Sequence, residues 1–496
     1  MPTMRALLAF LLLYGGSGLS TRAGSDAMSP VLEVGAEPRM FVDRSLVESL
    51  HGATLCLQRS TPREVVFRFD APWEGAECGY VTVLQDGPIY RMYYRGGGET
   101  TQEVTCMAES RDGVRWTRPT LGLFDFNGSK SNNIVFRGST RAYSESHNFT
   151  PFVDVNPAAK PAERYKALAL MKHQDRSGQK RRALAGLASP DGVHWHKLQD
   201  EPIIIGSGFD SQNLAFWDTR QQVYACYFRE GRDGLRSVRR CLSPDFVHWS
   251  APEWLDFGNT PPEQFYTSAI APYFRNPNLY LGFPMRFVPE RKEVGPEGRK
   301  VDALSDGVMV SSYDGLHFSR EFMEAFIRPG LDPKNWGNGH GNNTPSWGLL
   351  PTGEGEMSLY WAEHYGADYS GKAGKIEPGL APQLRRGSLR LDGLGSVHAG
   401  YGGGELITKA FLFKGRRLRL NYSTSAVGMV RVEMQDADGT PLPGLGANDC
   451  REIYGDELDR AVTWSEVASL DRLTGRTVKL KVLLKDADLY SLRVEP

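Results

Sequence analysis

The chain lacks any apolar run after residue 14 that approaches the roughly 20 residues a membrane-spanning helix needs, which excludes a helical membrane protein. It lacks an excess of charge as well. Lysines and arginines number 58 against 59 aspartates and glutamates, so no global field draws nucleic acid or an anionic membrane, and a neutral partner is expected. The six cysteines show neither CxxC spacing nor a histidine-rich neighbourhood, which excludes a zinc site and a disulfide-built fold. Cys226 and Cys241 fall on what should be adjacent strands, either bridged or as buried free thiols. No segment carries a long helical period, so the fold is expected to be all-β.

What the chain does have is a repeat. Ser110-Arg-Asp112-Gly-Val-Arg-Trp116, Ser189-Pro-Asp191-Gly-Val-His-Trp195, Ser243-Pro-Asp245-Phe-Val-His-Trp249 and Ser312-Tyr-Asp314-Gly-Leu-His-Phe318 share one pattern, with a degenerate copy at Ser388–Gly393. Their aspartates are spaced 79, 54, 69 and 78 residues apart, enough each time for four short strands with variable loops. Period-two alternation between the copies gives a four-strand unit five times, predicting a five-bladed β-propeller. Gly400–Gly404 reads as a hinge, and the β pattern beyond it predicts a C-terminal β-sandwich. Met40–Asp43 and Ser45–Leu50 are expected to close the ring or line its mouth. The expected division is a signal peptide over 1–23, the propeller over 24–399 and the sandwich over 400–496. The signal rests on Arg5, the short apolar run Ala6–Tyr14 and small residues up to Ala23, and implies a secreted or periplasmic protein without membrane insertion.

Such a unit sorts its polar residues by face. The Ser-x-Asp turns join third and fourth strands, so their aspartates share one face and cap their own turns. Asp86, Asp154 and Asp218, at turns between first and second strands, fall with them. The opposite face gathers residues before the first strands and at the ends of the second strands. Glu74, Asp210, Glu263 and Glu363 are the candidate catalytic carboxylates there, with Glu74 and Asp210 the primary pair because each stands beside an aromatic. Trp73, Arg95, His147, Asn213, Arg229, Tyr266, Arg286, His340 and Asn343 are candidate substrate contacts. Paired carboxylates amid arginine, histidine and aromatic groups suit glycosidic bond cleavage, in which one acid protonates the leaving oxygen and another acts as nucleophile or base.

Phe41-Val-Asp43-Arg-Ser-Leu-Val-Glu48, Ala71-Pro-Trp-Glu74, Tyr90-Arg-Met-Tyr-Tyr-Arg95, the Ser-x-Asp-Gly-x-x-Trp units and Leu420-Asn-Tyr-Ser-Thr-Ser-Ala426 carry a resemblance. The chain resembles the five-bladed propeller glycosidases, the superfamily of invertase-like and arabinanase-like hydrolases, and most closely bacterial secreted proteins similar to the N-terminal domain of glycoside hydrolase family 32. The resemblance implies a glycoside hydrolase acting on a plant or algal carbohydrate, with Asp43 as a further funnel acid. It also implies two alternatives, a glycan-binding propeller that does not cleave and a glycoside phosphorylase. No cofactor is required by the sequence; some resembled enzymes hold a structural calcium on their axis, and that point stays open. The Asn-Asp-Pro and Arg-Asp-Pro motifs of invertase-like enzymes are absent, so fructan specificity does not transfer.

Overall fold

A computed structural model describes residues 32–98, 101–140, 143–174, 177–292, 294, 303–366, 381–467 and 469–496. The expected signal peptide lies outside these residues. Among them the only helical turns are Pro161–Glu163, Pro333–Asn335 and Asp471–Leu473, and the rest is strand and loop, so the chain is all-β. No helix of the described residues is long and apolar enough to cross a membrane.

Five strand units follow one another. The first is ordered Gly79–Asp86, Ile89–Gly98, Thr101–Ser110 and Ile134–Arg137, with Trp116–Thr117 also on the third strand. The second orders Thr150–Val153, Tyr165–Gln174, Lys180–Ser189 and His196–Lys197, and the third Leu214–Asp218, Val223–Arg232, Leu235–Ser243 and Glu253–Trp254.

The fourth unit departs from the single sheet the sequence predicts. It splits into Gln264–Thr267, Met285–Val288 and Leu304–Gly307 on one side, and Ala271–Tyr273, Asn276–Gly282 and Val310–Ser312 on the other. The break passes through Ala269, at φ 44°, and Pro284, which has no N–H to give a ladder.

The fifth unit corrects the sequence reading more deeply. Its strands are Leu350–Gly353, Glu356–Glu363, Gln383–Arg390 and, outermost, Thr61–Arg68 from near the start of the chain. The expected fourth strand, Ser396–Ala399, pairs elsewhere, and Arg39–Met40 and Val47–His51 pair with none of the five units. All three join a ten-stranded sheet with Ala53–Leu57, Leu32–Val34 and the long C-terminal strands Arg417–Asp436 and Thr477–Glu495. Alternation marks Thr61–Arg68 poorly because an edge strand exposes its residues: Pro62, Arg63 and Glu64 all face water. In the long pair the ladder breaks between Thr424 and Met429, near Asp486 at φ 43°. Residues before the break in Thr477–Glu495 pair with Gly404–Thr408, and those after it with Gly395–Ala399. This sheet has its own buried core of Phe411, Leu420, Val432, Trp464 and Leu480 among others.

One contact recurs between consecutive units. In the Ser-x-Asp turn the serine hydroxyl accepts the N–H of the fourth residue and the aspartate accepts the two N–H groups that follow, at 2.8–2.9 Å in the turn at Asp112. The fourth residue is thereby left-handed, at φ 71° for Gly113, 76° for Gly192 and 72° for Gly315. Its carbonyl accepts a tyrosine hydroxyl from the preceding unit: Tyr93 on Gly192 at 2.9 Å, Tyr227 on Gly315 at 2.8 Å and Tyr360 on Gly113 at 2.7 Å. A Cβ there would lie 2.6–2.8 Å from that hydroxyl oxygen, so only glycine fits. At the turn of the third unit the residue is Phe246, at φ 69°, and the corresponding position of the second unit is Leu168, which has no hydroxyl to collide with. On the same face Asp86, Asp154 and Asp218 accept the hydroxyls of Tyr165, Tyr224 and Tyr280 of the following unit. The last unit meets the first through Tyr360, and through Val83 N–H to the Trp347 carbonyl at 2.8 Å.

Gly192→Ala is expected to destabilise the protein by more than about 1 kcal/mol, through the left-handed backbone and the collision. In a Tyr93→Phe background the same change should cost less, a coupling that a double-mutant cycle in urea measures; additive losses would refute the collision. The turns also predict a pH dependence. Burial opposes ionisation of Asp314, but His317 and backbone N–H groups outweigh it and bring its pKa down to about 2. A depressed folded pKa gives stability that is present above the unfolded value of about 3.9 and lost as pH falls through the folded one. Thermal unfolding should therefore drop between about pH 4 and 2, less steeply in Asp314→Ala.

Candidate functional site

Asp210 stands at the centre of a cluster of charged and aromatic side chains on the face opposite the Ser-x-Asp turns. The loop Gly208–Gln212 is pinned before the strand Leu214–Asp218 begins. Phe209 is buried against Phe228, and a Cβ on Gly208 would run into the backbone of Arg229 and Glu230. The amides of Asn148 and Asn213 each donate to the carbonyls of Phe209 and Ser211 at 2.5–3.0 Å. Asn213, expected to touch substrate, is fully buried and acts as this strap.

Held so, the Asp210 side chain is 25% exposed, and its Oδ1 lies 2.9 Å from Nε2 of His147. Nδ1 of the same ring lies 2.8 Å from Oε1 of Glu103, which is almost wholly buried. Both ring nitrogens thus face carboxylate oxygens, and Arg95 Nη1 lies 3.1 Å from Nδ1 as well. Arg182 reaches Oδ2 of Asp210 at 3.4 Å, and Arg229 donates to its backbone carbonyl. Burial pushes the Asp210 pKa up, but the hydrogen bond from His147 and the charges of His147, Arg182 and Arg229 prevail and bring it down to about 2. Asp210 is therefore a carboxylate at any physiological pH. Glu103 is held below its ordinary value too, its burial outweighed by His147 and Arg95.

Aromatic and cationic groups surround this cluster. Tyr80 and Tyr143 flank His147 with ring centres 5.9 and 4.6 Å away, and both have left-handed backbones, at φ 49° and 51°. Non-glycine residues held there cost energy and gather at functional sites. Arg95 lies over Tyr80, donates to Tyr365 Oη at 2.7 Å and to the Glu77 carbonyl at 3.0–3.1 Å, and contacts the His147 ring. Across from it Arg229 and Arg236 lie against Tyr266 at 4.4 and 5.3 Å, and exposed His340 sits 5.7 Å from the same ring. Beside these groups opens a cavity of about 830 Å³ lined by Leu235, Gln264, Phe287, Asp306 and Trp336 among others.

The structure brings Asp210, Arg95, His147, Arg229, Tyr266 and His340 together, and sets the other expected residues apart. Glu74 has no exposed surface: Tyr94 Oη donates to it at 2.5 Å, Arg118 at 2.9 and 2.8 Å and the Ala71 N–H at 2.8 Å, so every lone pair faces protein. Glu363 is likewise consumed by Arg385, Gln383 and Trp361. Asp43 is buried on the hydroxyl of Ser311 and the N–H of Ser45. Trp73 packs under a loop against Phe126 and donates to Asn133, and Asn343 is buried on the carbonyls of Ser305 and Asn335. Glu263 and Arg286 lie in the neighbouring cavity as part of an ion-pair cluster with Asp306 and Arg320. Burial pushes the Asp306 pKa up, against the pull of Arg286. Among the described residues no group of three or more His, Cys, Asp or Glu side chains could hold a metal ion. Cys226 and Cys241 oppose each other across adjacent strands as buried free thiols.

Sequence reasoning missed Glu103, Arg182 and Arg236. All three lie near the starts of third strands, and a third strand starts where the second one ends, so the same face rule reaches them.

No family model matches the chain, and no curated protein matches it. Among solved structures it is similar to an N-acetylgalactosamine deacetylase from F. plautii in complex with blood group B trisaccharide, at 14% identity over 68% of this chain and 96% of that one, with a TM-score of 0.46. It is also similar to a thermostable family-43 glycoside hydrolase (12% identity, 66% and 93% coverage, TM-score 0.41). A fructofuranosidase from Schwanniomyces occidentalis complexed with fructosylnystose matches at 9% identity over 88% of this chain and 98% of that one, with a TM-score of 0.39. With every one of these identities below 25% and TM-scores below 0.5, the likeness assigns no activity to this chain.

Glu74→Gln is expected to cost about 1–3 kcal/mol by removing the buried one of the two carboxylates that face Arg118, with exposed Asp70 as the other. Turnover per folded molecule should stay unchanged, checked by urea unfolding beside active-site titration. A hundredfold loss of turnover without destabilisation would return Glu74 to the site.

Proposed function

We propose that the chain is a glycoside hydrolase that cleaves a plant or algal oligo- or polysaccharide at the cluster around Asp210. The observation that carries this is one partly exposed carboxylate, kept ionised and fixed by the buried His147–Glu103 pair, among tyrosines that can stack on sugar faces. Asp210 is the nucleophile or base. Glu77, half-buried beside the Arg95 and Tyr365 that also border the cluster, is the second carboxylate in place of Glu74.

The architecture in this reading is a five-bladed propeller, each unit one blade, with the fourth blade bent at its break. Contacts from each unit to the next, the fourth to the fifth through the Tyr273 hydroxyl on Asp392 at 2.5 Å, and from the fifth back to the first, support a closed ring. The ten-stranded sheet is read as a C-terminal sandwich whose two layers share the bent strands, with residues 32–57 belonging to it. Export rests on residues 1–23, and the chemistry calls for no cofactor.

One observation favours a second reading, a glycan-binding propeller that does not cleave. Asp210 and Glu103 are both held low, whereas a general acid at neutral pH needs a raised value. The raised carboxyl nearby, Asp306, is tied to Arg286.

A glycan panel assayed for reducing-sugar release, with calorimetry alongside, tests both. Asp210→Asn and Glu77→Gln should each lower hydrolysis by about 10²-fold or more while the glycan still binds. Full activity in both variants would reject the assignment. Saturable binding without release from any glycan would establish the second reading.

A further inference from the structure

The cluster around Asp210 holds more positive charge than its own carboxylates neutralise. Arg95 and Arg182 face Asp210, Glu103 or the charge of Glu77. Arg229 and Arg236 form no salt bridge among the described residues. Arg229 spends Nη2 on the Asp210 backbone carbonyl, and its Nη1 is buried with no hydrogen-bond partner. Arg236 donates to the neutral amide of Gln264 at 2.8 Å. In the hairpin of Val223–Arg232 and Leu235–Ser243, Gly231 pairs with Arg236 and Arg229 with Val238, so both guanidinium groups stand on one face and lie against the same Tyr266 ring. Glu230 offers no relief. It stands on the other face, paired with Arg239 at 2.6 Å.

Two like charges crowded against one ring, one with a buried unsatisfied donor, are costly in an empty site and become favourable around an anion. Burial lowers the pKa of Arg236 and the charge of Arg229 lowers it further; His340 is pushed down by burial and by both arginines. Gln264 and Phe287, which both touch Arg236, also line the 830 Å³ cavity, so an anion here would sit on a chain running between cluster and cavity.

We infer that Arg229 and Arg236 form a subsite for an anionic substituent of the glycan, a uronate carboxylate or a sulfate ester, beside Asp210. Guanidinium groups match either oxyanion with paired N–H donors. This inference rests on the proposed glycan-cleaving reading and narrows its substrate to acidic saccharides, against the neutral partner that the overall charge balance suggests.

The test uses the full chain and chemically matched pairs: oligogalacturonides with their carboxyl-reduced forms, and sulfated agaro-oligosaccharides with their desulfated forms. Calorimetry reads binding and reducing-sugar release reads cleavage. In at least one pair the anionic member should bind tenfold or more tighter, as expected for a hydrogen-bonded charge, and raising salt should erode the difference. Arg236→Gln should abolish that preference, and Arg236→Lys should keep part of it, with melting temperatures confirming that both variants fold. Equal binding or cleavage of the neutral and anionic members would overturn the subsite while leaving the glycosidase reading standing. Binding of no saccharide at all would overturn both. Inorganic phosphate is the third arm: if it competes at this site and release yields sugar phosphate, the arginines hold a co-substrate and the subsite is overturned.

Discussion

The hydrogen bond from a tyrosine of one unit to the left-handed carbonyl of the next unit's Ser-x-Asp turn, made at three of the unit junctions, is the contact that registers one unit on the next most directly. Ser and Asp use their side chains on backbone N–H groups, which forces one residue left-handed and turns its carbonyl outward to the neighbour. The requirement is mutual. Where the neighbour has a tyrosine, the turn has glycine; where it has Leu168, the turn accommodates Phe246. With units registered on this face, the opposite ends of their strands are brought together, and Asp210, His147, Glu103 and the arginines meet although they come from three different units.

The contrast among carboxylates shows how similar sequence contexts diverge. Glu74 and Asp210 both follow an aromatic just upstream of a first strand. Glu74 is enclosed by Arg118, Tyr94 and the Ala71 N–H and serves to anchor its loop. Asp210 has its backbone strapped by amides, which leaves the side chain free to meet His147 and the rest of the cluster. What separates them is which group, backbone or carboxylate, the surrounding donors occupy, and those donors are distant in sequence.

Legibility followed the range of the interactions. The turns, the repeat and the all-β class are local, and period-two alternation with Ser-x-Asp spacing carried them. Asp210, Arg95, His147, Arg229 and Tyr266 were reachable because strand direction alone assigns a face. Thr61–Arg68 was not, since an exposed edge strand has weak alternation and its partner Gln383–Arg390 lies far along the chain. The burial of Asn213, Asn343 and Glu363 was equally hidden, because an asparagine strapping a loop and one contacting a ligand look the same until their donors are located.

The strand Thr61–Arg68 has a consequence for how the protein is made. Arg386 and Glu64, paired across its edge, are 322 residues apart. The fifth sheet therefore cannot be completed until Gln383–Arg390 has left the ribosome, since its outer strand is synthesised early and its partners late. Until then that strand's donors and acceptors are open to other chains, and only the long-range return of Gln383–Arg390 ends this exposure. Charged Arg63 and Glu64, with Pro62, keep the waiting edge soluble and poorly able to recruit a wrong partner.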